Sequence, residues 1–341
     1  MVRNLGTVGT DVLSGSAFND ELLGIAGDDL LIASRGVDLL NGGDGLDTVD
    51  YSEIHAPITL RPRGVIQKGD TGELDQLFSI ERIVGAKGQE NVMDASTVGT
   101  ASVFVNLNNQ IMRVNEIGQE FVVKRFAHVR GTALDDRIIG NPLNNRLQGG
   151  AGDDLLIGRS GKDRLRGQLG NDTLLGGRGN DILIGSAGVS VNMPVNTSGN
   201  TSINASGNAS INAFGNAFGN AFGNAFGNAF GNAFGNAFGN EIDQMTGGAG
   251  ADRFVLGSVR LGALYQEENR YAVIRDFSAV EGDRIHLLGT PRDFRLRDRT
   301  EFDLGRTDIA DSVLLQGNDA IAILVDQPNI KLANHAVFER I

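Results

Sequence analysis

The sequence predicts an all-β fold, a parallel β-solenoid in which short strands stack coil upon coil. Three observations carry that expectation. Between Gly149 and Gly185 an Asp recurs every nine residues, at Asp154, Asp163, Asp172 and Asp181. Two positions after each stands Leu156, Leu165, Leu174 or Leu183, and two positions before each stands Gly152, Gly161, Gly170 or Gly179. A short fixed period of this kind marks a repeat architecture.

Written as a unit, the pattern is G-x-x-G-x-D-x-L-x. Its Gly-rich residues suit a tight turn, because Gly reaches positive φ without steric cost. Its last three predict a short strand whose single Leu faces inward while the flanking residues face water. One unit buries too little to stand alone, whereas two units per coil, stacked, bury a continuous ladder of Leu and Ile. Each Asp then lies beside the Asp eighteen residues on. Adjacent strands are about 4.8 Å apart, so these carboxylates repel unless a cation lies between them. Calcium, which accepts roughly six to eight oxygen ligands in flexible geometry, suits carboxylates and turn carbonyls.

Residues 1–50 form a first repeat block. Asp11, Asp20, Asp29, Asp38 and Asp47 are nine apart, followed at the inward position by Leu13, Leu22, Leu31, Leu40 and Val49. Pairing at eighteen joins Asp11 with Asp29, Asp20 with Asp38, and Asp29 with Asp47. Gly27 and Gly45 complete intact turns. In the others Phe18 replaces one Gly, and Ala33-Ser34 replaces Gly-Gly, so the Asp20 and Asp38 sites are expected to be weaker.

Residues 51–130 lack the nonapeptide and contain a duplication. Thr48–Ser52, Ile58–Leu60 and Phe78–Ala86 align with Asn91–Ser96, Val103–Leu107 and Phe126–Ala133. Alternating β-branched runs predict strands. The simplest arrangement is longer coils that continue the stack with projecting hairpins, and the alternative is a separate small β-domain. A second block, 131–185, runs from Asp136 through Asn145 to Asp181, pairing Asp136 with Asp154, Asp154 with Asp172, and Asp163 with Asp181. Asn145 against Asp163 supplies one carboxylate fewer. Arg159, Lys162, Arg164, Arg166 and Arg178 occupy variable positions and predict a solvated face offsetting the acidic turns.

Residues 186–241 are an Asn/Gly/Phe/Ala insert ending in AFGN copies from Ala213 to Asn240. A Gly and an Asn in every tetrad disfavour a helix, and the tract reads as a low-complexity loop. The nonapeptide resumes over 242–256 with Asp243 and Asp252 and a Gly at Gly250. If the insert loops out, Asp172 meets Asp243 and Asp181 meets Asp252. Residues 257–341 alternate like strands and suit a β cap over the open end of a solenoid.

The repeats at these positions resemble the RTX, or haemolysin-type, calcium-binding nonapeptide-repeat family, whose consensus is G-G-x-G-x-D-x-U-x. That resemblance implies a parallel β-roll, Ca2+ as the bound ion, and secretion from a Gram-negative bacterium by a type I route. The candidate ligands are Asp11, Asp20, Asp29, Asp38, Asp47, Asp136, Asp154, Asp163, Asp172, Asp181, Asp243 and Asp252. The carbonyl-bearing turn residues Gly27, Gly45, Gly152, Gly161, Gly170, Gly179 and Gly250 join them. The segment from Ala272 to Gly289 also resembles the region C-terminal to the repeats in secreted members, at Ile274, Asp276, Phe277, Gly282, Asp283 and Ile285. By the same resemblance a secretion signal lies near Ala336 to Ile341.

The chain has 341 residues, 48 Gly, no Cys, no Trp and a formal net charge of −12. That balance excludes nucleic acid as a partner, since phosphate binding needs a basic surface. No apolar run approaches the roughly 20 residues of a transmembrane segment. The sequence has neither an H-E-x-x-H nor a G-x-S-x-G motif, and Ser160 belongs to a repeat turn. His128 reads as a surface strand residue. Tyr51, Glu53 and His55 are the candidates for a lyase-type or epimerase-type site, and alternation places all three on one solvated face. The resulting expectation is a secreted, non-catalytic calcium-binding protein, structural or adhesive at a cell surface or in an extracellular matrix, with surface glycans or self-association as partners. The competing readings are a polysaccharide-modifying enzyme and a self-assembling surface-layer protein.

Overall fold

The computed structural model describes residues 2–115, 119–186, 242–258, 262–265, 270–299, 311–317, 319–327 and 336–339. The tetrapeptide tract therefore lies outside the described residues, as do Ile341 and its neighbour at the C-terminus. Apart from two short 3₁₀ turns, Pro62–Gly64 and Pro291–Asp293, the described regular elements are strands. The fold is all-β, built as a parallel β-roll. The chain divides into two compact units, Met1–Asp163 and Arg164–Ile341.

In the first unit successive repeats alternate between two sheets. One sheet runs Arg3–Leu5, Glu21–Ala26 and Leu39–Asp44 in parallel, and the other runs Val12–Ser14, Leu30–Ile32 and Thr48–Asp50. Register steps by one coil of eighteen residues: Leu22 lies beside Leu40, and Leu13 beside Leu31, which lies beside Val49. These side chains are buried, as are Ile138, Leu147 and Leu156 in the second block. Many strands run six residues rather than three, because the Gly-Gly portion also pairs in register, as in Ile25 with Gly43.

The duplicated segment departs from the expected projecting hairpins. Each copy is an antiparallel meander incorporated in a sheet. Ile58–Arg61 pairs with Val65–Lys68, which pairs with Glu73–Phe78, and the outer strands join parallel neighbours at Asn91–Asp94 and Leu39–Asp44. The second copy, Val103–Asn106, Ile111–Val114 and Gln119–Lys124, does the same in the opposite sheet. A meander reverses direction twice, so its ends re-enter the parallel ladder without a register slip that would turn the apolar face outward.

In the second unit Arg164–Leu169, Ile182–Ser186, Arg253–Val255 and Arg284–Leu288 pair in one sheet. Thr173–Arg178, Ile242–Ala249 and Tyr271–Ile274 pair in the other. Leu174 lies beside Met245 and Leu183 beside Phe254, all fully buried, so the repeats on either side of the tract share one register. The second sheet ends in the antiparallel strands Phe294–Arg299, Asp311–Gln316 and Asp319–Leu324, whose core includes Val313, Leu315 and Ile323. Ala336–Glu339 pairs in parallel with Arg284–Leu288.

Candidate metal centre

The repeat Asp side chains, buried except for the half-buried Asp11, build a ladder in the turns. The main-chain N–H of Asp11 donates to Asp29 Oδ1 at 2.7 Å, that of Asp29 to Asp47 Oδ1 at 2.8 Å, and that of Asp47 to Glu81 Oε2 at 2.9 Å. On the other edge Asp20 donates to Asp38 Oδ1 and Asp38 to Asp75 Oδ1, both at 2.9 Å. Asp136 donates to Asp154 Oδ1, and Asn145 to Asp163 Oδ1, both at 2.8 Å. In the second unit Asp172 donates to Asp243 Oδ1 at 2.9 Å, Asp181 to Asp252 Oδ1 at 2.7 Å, and Asp252 to Asp283 Oδ1 at 2.9 Å.

A second ladder runs in the opposite sense through the residue preceding the repeat Asp. Asp28 Oδ1 accepts from Leu46 N, Asn19 from Val37, Asp135 from Asp153, Asn144 from Lys162, Asn171 from Ile242 and Asn180 from Ala251. Sequence reasoning missed these residues, although the recurring Asx-Asp dipeptide signals them. Gly27, Gly45, Gly152, Gly161, Gly170, Gly179 and Gly250 all lie at positive φ, between 101° and 147°. The turn thus demands Gly there, since other residues rarely adopt that conformation.

One oxygen of each Asp serves the ladder, and the other decides what the turn can bind. Asp29 Oδ2, Asp47 Oδ2 and Asp252 Oδ2 are buried without a hydrogen-bond partner. A side-chain carbon on Gly24 would collide with both Asp29 Oδ2 and the Gly42 carbonyl oxygen. One on Gly42 would collide with Asp47 Oδ2 and the Ser79 carbonyl. Carboxylate and main-chain oxygens from successive coils therefore converge on the same space. An unsatisfied buried carboxylate oxygen is costly, and an all-oxygen lining of this kind fits a hard divalent cation. Among the described residues no three His, Asp or Glu side chains converge on one point, so an ion here depends on main-chain carbonyls.

Electrostatics agree. Burial, with Asp181, Asp283 and Asp276 adding to it against the pull of the Asp181 N–H, pushes the Asp252 carboxyl up to about 7. Burial also pushes Asp154 up to about 8, against the N–H of Asp136 and with Asp136, Asp135 and Asp153 adding to it. Desolvated carboxylates beside like charges favour protonation unless a cation offsets them.

Elsewhere the protein satisfies the second oxygen itself. Thr7 donates through N and Oγ1 to Asp11 Oδ2, and Ser16 does the same to Asp20 Oδ2. Thr132 N donates to Asp136 Oδ2 at 2.5 Å, and Tyr265 Oη to Asp243 Oδ2 at 2.5 Å. Asn145 Nδ2 donates to the Ala127 carbonyl and to Asn141 Oδ1, both at 3.0 Å. The readable signal is a Ser, Thr or Asn four residues before the Asp, except at Asp243, which Tyr265 closes from outside the repeat. Asp29, Asp47 and Asp252 have Ile25, Gly43 and Gly248 there instead.

Beyond the repeats, Asp276 accepts from Gly247 N and Gly248 N, and Phe277 packs on Phe254 with ring centroids 6.2 Å apart. His128 Nδ1 accepts from Arg146 N within a strand. The expected common face of Tyr51, Glu53 and His55 is corrected: the strand ends at Asp50 and the chain turns. Tyr51 is consequently fully buried, while Glu53 and His55 are exposed.

These turns define a class of protein, a parallel β-roll whose coils are joined at the turns through stacked carboxylates and main-chain N–H groups. The repeats themselves are RTX calcium-binding nonapeptide repeats. The profile described as "RTX calcium-binding nonapeptide repeat (4 copies)" matches residues 5–40, 23–53, 130–165, 157–190 and 239–258. A search of the curated proteins finds no match. Among solved structures, the extracellular lipase LipA from Serratia marcescens is similar at 17% identity and a TM-score of 0.24. The match covers 98% of this chain and 40% of that one, so the chain spans less than half the lipase's length. No helix among the described residues is long and apolar enough to cross a membrane.

Proposed function

We propose that this is a secreted, non-catalytic calcium-binding protein with a structural or adhesive role at a cell surface or in an extracellular matrix, and that calcium drives its folding after export. The observation that carries the reading is the set of buried, partnerless carboxylate oxygens at Asp29, Asp47 and Asp252. At Asp29 and Asp47 these oxygens share their space with the carbonyls of Gly42 and Ser79. Asp29 and Asp47 would hold calcium with those carbonyls, and Asp252 would do so in the second unit. Asp154, Asp163, Asp172 and Asp181, the aspartates of the G-x-D turns in the second block, complete the proposed ligand set. Bound calcium supplies charge neutralisation between coils, and the chain's own residues supply the ladder that fixes their spacing.

Extracellular calcium modules typically work at about 10⁻⁴ to 10⁻³ M ion, which ties folding to the medium outside a cell. Limited proteolysis tests this. Calcium at millimolar concentration protects the 131–163 repeats, and chelation exposes them to cleavage. Equal cleavage in both conditions would contradict the reading. Incubation with uronate polymers leaves their ends and epimer ratios unchanged if the protein is non-catalytic, and new unsaturated ends would replace this reading with a lyase.

A further inference from the structure

The first repeat block has two turn edges, and only one keeps open carboxylate oxygens. On the Asp20, Asp38 and Asp75 edge every carboxylate oxygen of Asp38 and Asp75 is occupied by the protein. Asp38 Oδ1 accepts from Asp20 N at 2.9 Å, and Asp38 Oδ2 accepts from Ser34 Oγ at 3.1 Å and Lys68 Nζ at 3.4 Å. Asp75 Oδ1 accepts from Asp38 N at 2.9 Å and Lys68 Nζ at 2.7 Å, and Asp75 Oδ2 accepts from Tyr51 Oη at 3.0 Å. The third contact of Lys68 Nζ is the Ser34 carbonyl at 2.8 Å. An ammonium has three donors, and here two carboxylates and a main-chain carbonyl take all three. The side chains are 3% exposed for Lys68, 1% for Asp38 and 0% for Asp75.

Carboxylate and main-chain carbonyl oxygens meet in the same way at the open sites, Asp29 Oδ2 with the Gly42 carbonyl and Asp47 Oδ2 with the Ser79 carbonyl. We infer that Lys68 is a tethered cation that takes the place of calcium between Asp38 and Asp75, so that this edge of the first block closes without metal.

The sequence around the site fits. Ala33-Ser34 stands where intact repeats have Gly-Gly, and Ser34 Oγ lies 2.6 Å from where a side-chain carbon on Gly15 would sit, in the place that the Gly42 carbonyl oxygen takes beside Gly24. Lys68 comes from the middle strand of the first meander, so the insert that interrupts the nonapeptide also delivers the replacement charge. Burial, with the Asp75 carboxylate beside it, pushes the Tyr51 phenol well above its usual value and keeps its proton in place to donate. A buried, fully hydrogen-bonded ion pair tolerates no loss of one partner, which gives the arrangement a measurable signature.

The inference rests on the proposal that the open turns bind calcium, and the test separates the two. Calcium stoichiometry is read by isothermal titration calorimetry on the full chain. Asp38→Asn is expected to leave the wild-type stoichiometry unchanged, and Asp29→Asn to lower it. Lys68→Ala, which frees a space lined by two carboxylates and a carbonyl, is expected to bind one calcium more than wild type. Lys68→Met, which fills that space without charge, is expected to keep the stoichiometry and to lower the thermal midpoint by roughly 6–20 °C wherever the wild type is folded. A loss of one calcium in Asp38→Asn overturns the assignment, as does a Lys68→Ala protein that folds and gains none. If Lys68→Ala fails to fold, the Asp38→Asn stoichiometry decides. A wild type that binds no calcium overturns the calcium reading instead. Lys68→Met must then still lower the midpoint, and an unchanged midpoint defeats the Lys68 assignment by itself.

Discussion

At the residue scale, the decisive unit is one turn, where a Gly, an Asp and a carbonyl of the next coil share a small volume. Gly24→Ala puts a methyl group against Asp29 Oδ2 and the Gly42 backbone. Overpacking of this kind costs about 1–3 kcal/mol, and here it also fills the space proposed for the ion. The expected result is a lower thermal midpoint together with weaker calcium binding, checked by calorimetry and unfolding of the same sample. Protons compete for the same oxygens. The folded-state pKa values of about 8 for Asp154 and about 7 for Asp252 lie above the unfolded value of about 4. Without calcium the folded chain therefore binds more protons than the unfolded one between about pH 4 and 8, and its stability falls as pH rises through that window. Calcium affinity runs the other way and rises over the same range, because the ion displaces those protons. Denaturant unfolding in chelator and calcium titrations at several pH values check the two signs.

At the scale of elements, the nine-residue period foretold the strand columns, their inward Leu and Ile, and the Asp ladder, because all of these are local to one repeat. Which carboxylates stay open was not read from the sequence: a Ser, Thr or Asn four positions before the Asp marks most of the closed ones, but Asp243 is closed by Tyr265 from outside the repeat. The meanders were not legible either, since their incorporation into opposite sheets depends on pairing between strands distant in sequence, as of Leu39 with Gln76 and of Thr59 with Val92. Lys68 and Tyr51 were hidden for the same reason, each reaching Asp75 from a different strand or turn. Two further outcomes belong here. Ile25 sits at φ 84° where Gly43 sits at φ 100° in the next coil, and a β-branched residue is strained in that region. Ile25→Gly is expected to raise stability by roughly 0.5–1 kcal/mol, the strain relieved outweighing the entropy that Gly adds to the unfolded chain. Asn91 is fully buried, accepts from Ile58 N and donates to the carbonyls of Ala86 and Arg125. Asn91→Ala strands three main-chain groups and is expected to cost at least about 1–3 kcal/mol, measured by denaturant unfolding.

At the scale of the whole molecule, a chain with a net charge of −12 concentrates its buried carboxylates along turn edges where they repel one another. On the proposed function the parallel coils are completed where divalent cations are plentiful and loosened where they are scarce. Stacking makes the response cooperative, because each coil contacts its neighbours and an ion between two coils steadies both. Far-UV circular dichroism during calcium titration tests this most directly, on wild type and on an Asp29→Ala/Asp47→Ala variant. The account predicts that wild type gains β signal cooperatively between roughly 10⁻⁴ and 10⁻³ M calcium and that the variant needs more ion. A wild-type spectrum that ignores both calcium and chelator would contradict it.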